Sequence, residues 1–261
     1  MTTPKAKLAR GEVVLAVGLP WPYPGLAEAL GYLGFDCVVG DGEHSSLTAE
    51  TFEEVVRGAD VAGKAAILKT PLDVRAIGRC LDAGAAGVQV AHIESAEEAT
   101  QAVRAARYCP VGIRGIGITR ARRYRLGNAD VDAFADRADS DALVIVQVES
   151  AGALSQLPAI LEVEGVDVVL VGSGDLRLAV RGLGPAREQG VKRAIEDAVA
   201  TILQSQKVCG VPCRSVEDVT ARVQQGVRFV LMSASDILRV GSELFLAGAG
   251  REKERPSGPA S

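Results

Sequence analysis

Short apolar runs rich in valine alternate along this chain with longer stretches in which apolar residues return every three or four positions. The runs fall at 13–18, 36–40, 65–69, 87–91, 142–149, 166–171, 208–211 and 228–232. They have strand length, and their nearly unbroken apolar character is that of strands buried on both faces, as in a parallel sheet. Between them the periodicity is helical. Ser95-Ala96-Glu97-Glu98 has the form of a capping box, after which Ala99, Ala102, Val103 and Ala106 share one helix face. Val191, Ile195, Ala198 and Ile202 do the same before the seventh run. Eight strands, each followed by a helix, predict a closed (β/α)8 TIM barrel over residues 1–248, with 249–261, rich in glycine, proline and charge, as a flexible tail. An open doubly wound sheet has the same alternation and is the alternative. The interval 91–142 is longer than one helix requires, and its arginine-rich stretch at 112–125 is expected to be a functional loop.

Composition narrows the class of partner. Of 261 residues 48% are hydrophobic, and 29 lysines and arginines stand against 33 acidic residues, a net charge of -4. With only 4% aromatic residues there is neither a basic field nor a set of stacking platforms for nucleic acid. No apolar run reaches the roughly 18 residues of a membrane span, so no membrane partner is expected. Residues 1–10 are basic but lead into a strand-like segment rather than a signal-peptide core. Five cysteines, an odd number, suit reduced thiols and a cytoplasmic location. Cys209 and Cys213 lack the histidines or second pair that a zinc site of this spacing needs.

In a barrel, chemistry is built at the carboxyl ends of the strands. Those ends read Asp41-Gly42-Glu43-His44, Lys69-Thr70, Gln147-Val148-Glu149 and Gly172-Ser173-Gly174-Asp175. Glu149 and Asp175 close two apolar strands, where an unpaired carboxylate is costly, and two oxygen ligands with open positions suit Mg2+, Mn2+ or Co2+. A loop contact for Glu149 and a helix cap for Asp175 account for the same pattern. His44, beside two acids, is the candidate proton carrier, with His92 ranked after it, and either could be simply hydrogen-bonded. Lys69 could hold an anionic substrate group or be a solvated loop lysine.

With these residues in place the sequence resembles the HpcH/HpaI aldolase family, metal-dependent class II aldolases related to citrate lyase β-type proteins. The match is collinear from about Gly11 to Gly241. It includes Gly34-Phe35-Asp36, Asp41-Gly42-Glu43-His44, Leu81-Asp82-Ala83-Gly84-Ala85, Ala96-Glu97-Glu98-Ala99, Arg107-Tyr108 and Gly112-Ile113-Arg114-Gly115. Gln147-Val148-Glu149-Ser150, Gly165-Val166-Asp167 and the Gly-x-x-Asp-Leu segment from Gly172 to Leu176 complete it. The resemblance implies a pyruvate-type barrel with Glu149 and Asp175 on a divalent ion and a 2-oxo acid chelating that ion. The ion would act as Lewis acid on the keto oxygen when the C3–C4 bond of a 4-hydroxy-2-oxo acid breaks to release an aldehyde. It implies further that His44 assists proton transfer, that Asp82 orients it across a subunit boundary, and that Gln147, Gly172, Ser173 and Gly174 border the substrate. Homo-oligomers, trimers or hexamers with swapped terminal helices, belong to the same expectation.

Three departures bear on the substrate. Lys69 stands where the family usually has an arginine, and an ammonium cannot reproduce a planar bidentate contact. Ser173, Gly174 and Arg177 alter the Gly-Pro-Ala-Asp-Leu-Ser segment, and His92 replaces a methionine. The leading expectation is therefore a divalent-metal-dependent carbon-carbon lyase with an altered substrate or direction. A Schiff-base enzyme acting through Lys69, and a non-catalytic acid-binding barrel, are the alternatives.

Overall fold

The computed structural model describes residues 2–127, 130–179 and 184–251. Eight parallel strands close a barrel in sequence order, each paired with its neighbours and the last with the first. They are β1 (Val14–Leu19), β2 (Cys37–Asp41), β3 (Ala65–Thr70), β4 (Gly87–Val90), β5 (Leu143–Val148), β6 (Val168–Val171), β7 (Val208–Cys213) and β8 (Phe229–Ser233). The helices before and between them run α1 (Pro4–Ala9), α2 (Pro24–Tyr32), α3 (Ala49–Val61), α4 (Val74–Asp82), α5 (Ala96–Ala106) and α6 (Val131–Asp141). They continue with α7 (Ala151–Leu161), α8 (Ser173–Leu178), α9 (Pro185–Leu203), α10 (Val216–Gln225) and α11 (Ala234–Gly248). Every expected run contains a strand, with ends shifted by no more than two residues. Residues 252–261 of the expected tail lie outside the described residues.

Strand alternation separates two cores. Residues such as Val17, Val38, Val88, Val144, Val146 and Val169 point outward and pack under the helices. The inward series, Val14 and Ala16, Cys37 and Val39, Ile67, Leu143 and Ile145, Val168 and Leu170, and Phe229, fills the barrel axis. Continuing it two residues along β2, β3 and β5 brings it to Asp41, Lys69 and Gln147, and two more, just past the end of β5, to Glu149, so polar residues replace apolar ones as each strand nears its carboxyl end. The register sets Asp41 beside Lys69 and Lys69 beside Gln89. The same apolar staves that close the axis therefore carry the polar layer above it.

Two elements exceed the sequence reading. The basic segment at the start forms α1, whose Leu8 joins the inward core while Lys7 pairs with Asp36 at 2.8 Å and Lys5 with Asp167 at 3.2 Å. Both aspartates precede their strands, so α1 closes the amino-terminal end of the barrel, opposite the polar layer. The long interval after β4 holds a second helix, α6, and a 3-10 turn over Arg120–Arg125. The capping box at Ser95 is half formed. The Ser95 hydroxyl accepts from the Glu98 N–H at 3.2 Å, but the Glu98 carboxylate accepts from the N–H of Glu94 at 2.7 Å, one residue before the cap. Leu8→Ala is expected to destabilise the chain by about 2–4 kcal/mol in chemical denaturation, because the space opens inside a closed barrel with little room to collapse. A loss well below 1 kcal/mol would show that α1 is only loosely seated.

Candidate active site

Asp41 organises the turn that follows β2. Its Oδ1 accepts from the N–H groups of Glu43 and His44, both at 2.9 Å, and its backbone carbonyl accepts from the Ser45 hydroxyl. A side chain at Gly42 would meet the carbonyl of Lys69 at 2.9 Å, so only glycine lets this turn lie against β3. The turn places Glu43 as a hub. Its Oε2 is 2.8 Å from the Lys69 ammonium and 3.3 Å from His44 Nε2, and its Oε1 is 2.7 Å from His92 Nε2. Lys69 also lies 3.7 Å from Asp41. Lys69 is thus spent on two carboxylates, unlike a Schiff-base lysine, which is set in an apolar or cation-flanked pocket that frees the amine.

Glu149 stands at the other side of the layer. Its side chain is only 3% exposed. Oε1 accepts from the His92 backbone N–H at 2.9 Å and lies 3.2 Å from His92 Nδ1. Oε2 accepts from the Gln147 amide, whose own oxygen accepts from Gln89 Nε2 at 2.6 Å. Because a carboxylate only accepts, Glu149 fixes the orientation of both amides and leaves the Gln89 oxygen, itself buried, without a donor. Burial pushes the Glu149 carboxyl above the usual range. The donors on His92 and Gln147 oppose that shift, and the neighbouring Asp175 adds to it.

Asp175 lies in the first turn of α8, whose cap residue is Gly172, so the capping role considered for Asp175 is not the one it takes. Gly172 lies against Glu149 so closely that a Cβ there would sit 2.7 Å from the carboxylate and 2.9 Å from the Gln147 amide. A cavity of about 310 Å3 opens above this floor. Asp41, Lys69, Gln147, Glu149, the Gly172-Ser173-Gly174 turn and Asp175 line it. The sequence reading missed Gln89 and Arg214, which line it too.

The chain does not bring all the expected residues together. His44 does not line the cavity, and its side chain is 63% exposed. Asp82 ends α4 ahead of β4, away from the polar layer, and its carboxylate pairs with Arg114 at 2.8 Å. Arg114, from the arginine-rich interval, is buried there and its guanidinium lies 4.6 Å from the centre of the Tyr108 ring. Among the described residues no three His, Cys, Asp or Glu side chains form a ready-made metal cage. What fits a divalent ion is a narrower set. Glu149 and Asp175 are adjacent acids, and no lysine or arginine pairs with either among the described residues. They would supply two oxygens and leave the remaining positions to substrate and water.

A parallel barrel with paired acids above strands 5 and 6 defines a class, and comparison with known proteins identifies it. The model of the HpcH/HpaI aldolase/citrate lyase family matches residues 19–247. The chain belongs to that family and is a lyase. It is 31% identical over 247 residues to a hydroxypyruvate/pyruvate aldolase of Roseobacter denitrificans, covering 94% of this chain and 96% of that one. It is 34% identical over 243 residues to a 4-hydroxy-2-oxo-heptane-1,7-dioate aldolase of Klebsiella pneumoniae, covering 92% and 90%. The structure of an HpcH/HpaI aldolase/citrate lyase family protein from Burkholderia cenocepacia superposes with a TM-score of 0.86 at 25% identity, over 96% of this chain and all of that one.

The raised Glu149 carboxyl has a consequence for stability. As pH rises past its ordinary value of 4.5 the unfolded chain ionises first, so the fold loses relative stability until Glu149 itself ionises, and the deficit persists above that point. With divalent ions chelated at neutral pH, Glu149→Gln should therefore raise the Tm by a few degrees. A lower Tm for this variant would contradict the account of a carboxylate held at a cost.

Proposed function

We propose that this chain is a divalent-metal-dependent carbon-carbon lyase that cleaves a 4-hydroxy-2-oxo acid to a pyruvate-type enolate and an aldehyde, or joins the two. The observation that carries the reading is the pair formed by Glu149 and Asp175, adjacent acids without a lysine or arginine partner among the described residues, on the floor of a cavity in a barrel of this family. When bound, Mg2+, Mn2+ or Co2+ supplies Lewis acidity to the oxo acid's carbonyl. Glu149 and Asp175 would hold it. The relatives named above as aldolases support the reaction class.

The chain's own residues then divide the remaining tasks. The Gly172-Ser173-Gly174 turn and Gln147 border the oxo-acid end, where the close approach of Gly172 to Glu149 keeps the floor narrow. Lys69 presents one ammonium at the strand end where the family's arginine is expected, and Glu43 and Asp41 fix its direction. A single point charge orients an oxyanion less rigidly than a guanidinium fork, which supports an altered substrate. His44, exposed beside Glu43, would carry the proton of the 4-hydroxyl group as the C3–C4 bond breaks. Asp82 ends α4 ahead of β4, away from the polar layer of its own copy, so it could orient His44 only from a second copy of the chain, and would do so while paired with Arg114. This reading therefore includes a homo-oligomer, a trimer or hexamer.

Cleavage of a 4-hydroxy-2-oxo acid should disappear on treatment with a chelator and return with Mn2+, and Glu149→Ala should lose at least about a hundredfold in kcat/KM. Lys69→Arg should raise pyruvate-type cleavage by about tenfold, equivalent to roughly 1.5 kcal/mol for one added charge-assisted hydrogen bond. Full activity in the presence of chelator, with borohydride trapping of a keto acid on Lys69, would overturn the reading in favour of a Schiff base.

A further inference from the structure

His92 follows β4 at the point where the chain turns toward α5. Its φ of 54° lies in the left-handed region, which non-glycine residues seldom enter. Strain of that kind persists where surrounding contacts hold it. Here the contacts all lead to acids of the cavity's polar layer. The left-handed turn aims the His92 backbone N–H at Glu149 Oε1, 2.9 Å away. It also sets Nδ1 of the ring 3.2 Å from the same oxygen, and Nε2 of the ring 2.7 Å from Glu43 Oε1. One residue thus touches both carboxylate groups, and a continuous line runs from Lys69 through Glu43 and His92 to Glu149.

We propose that His92 is a positioning residue that holds the carboxylate of Glu149 in one orientation for a metal ion. The inference rests on the reading of Glu149 as a metal ligand. Oε1 of Glu149 accepts from the His92 N–H, and the ring lies across the same oxygen with Nδ1 3.2 Å away. Oε2 accepts from the Gln147 amide, which Gln89 fixes in turn, and Gly172 closes in on that oxygen. A carboxylate held from both sides keeps one orientation toward the cavity. The second arm of the ring, on Glu43, ties this fixed ligand to the hub that aims Lys69, so the ligand and the cation keep one spacing across the cavity. A methionine at this position, as expected from the family resemblance, could make neither polar contact.

The test measures Mn2+ binding by titration calorimetry and the Mn2+ electron paramagnetic resonance spectrum, on the full chain, for the wild type, His92→Ala and His92→Asn. Asparagine enters the left-handed region more readily than most residues and carries an amide donor near the place of Nδ1, but cannot reach Glu43. The expected result is Mn2+ binding about tenfold weaker in His92→Ala, with a changed spectrum and no loss of apo Tm, and recovery to within about threefold in His92→Asn. Equal weakening in both variants with apo Tm retained would also support the role and assign it to the arm on Glu43. Wild-type affinity and spectrum in His92→Ala, or a weakening matched by an equal collapse of apo stability in both variants, would overturn it. A wild-type chain that binds no Mn2+ would instead overturn the metal reading itself, and this assignment with it.

Discussion

The site is organised by the cost of keeping the carboxylate of Glu149 out of water beside a second acid. Burial and the neighbour both resist its ionisation, the two hydrogen-bond donors on it, the His92 N–H and the Gln147 amide, are neutral groups, and the nearby His92 ring opposes the shift without reversing it. A group in that position is relieved either by a proton or by a cation, and the cavity above it is open to a cation. The rest of the polar layer is arranged around this constraint. Gln89 sits in an otherwise apolar strand because Gln147 needs a donor to its oxygen while its amide serves Glu149. Gly172 is small because the carboxylate occupies the space a side chain would take.

Charge is divided across the cavity in a second way. The ammonium of Lys69 is balanced by Glu43 and Asp41, so it does not reach across to neutralise Glu149. Lys69 is therefore already balanced, while Glu149 has no lysine or arginine beside it among the described residues. That asymmetry, rather than any single residue, is what would let the pocket take the proposed divalent ion and an anionic oxo acid together. It also explains why a chain with a lysine in the arginine position keeps a site of this type. Glu43 holds the lysine in direction, although it cannot give it a second donor plane.

Much of this was legible in the amino-acid sequence. The eight valine-rich runs marked all the strands, because strands buried on both faces must be apolar throughout. The polar residues at their ends marked Glu149, Asp175, Lys69 and Gln147, since in a barrel that end faces the cavity. Leu8 was hidden because a single leucine in a short basic segment has no periodicity, and its partners lie in strands distant along the chain. Gln89 was hidden inside an apolar run for the same reason that it is informative, since only the cross-strand contact to Gln147 explains it. An isolated histidine such as His92 carries little signal in the sequence, and its importance comes from a left-handed turn that no local pattern announces. In the sequence Glu43 is only a neighbour of His44, whereas the folded chain makes it the meeting point of Lys69, His44 and His92.

The central claim is that Glu149 and Asp175 together hold a divalent cation on which a 2-oxo acid is bound. Crystals grown with Mn2+ and oxalate, a stable mimic of the enolate, allow the cation to be located by its anomalous scattering. The account predicts a peak about 2.0–2.2 Å from one carboxylate oxygen of each acid, with oxalate completing the coordination. An empty floor under saturating Mn2+, or a peak elsewhere in the barrel with Glu149 and Asp175 turned away from it, would contradict the account.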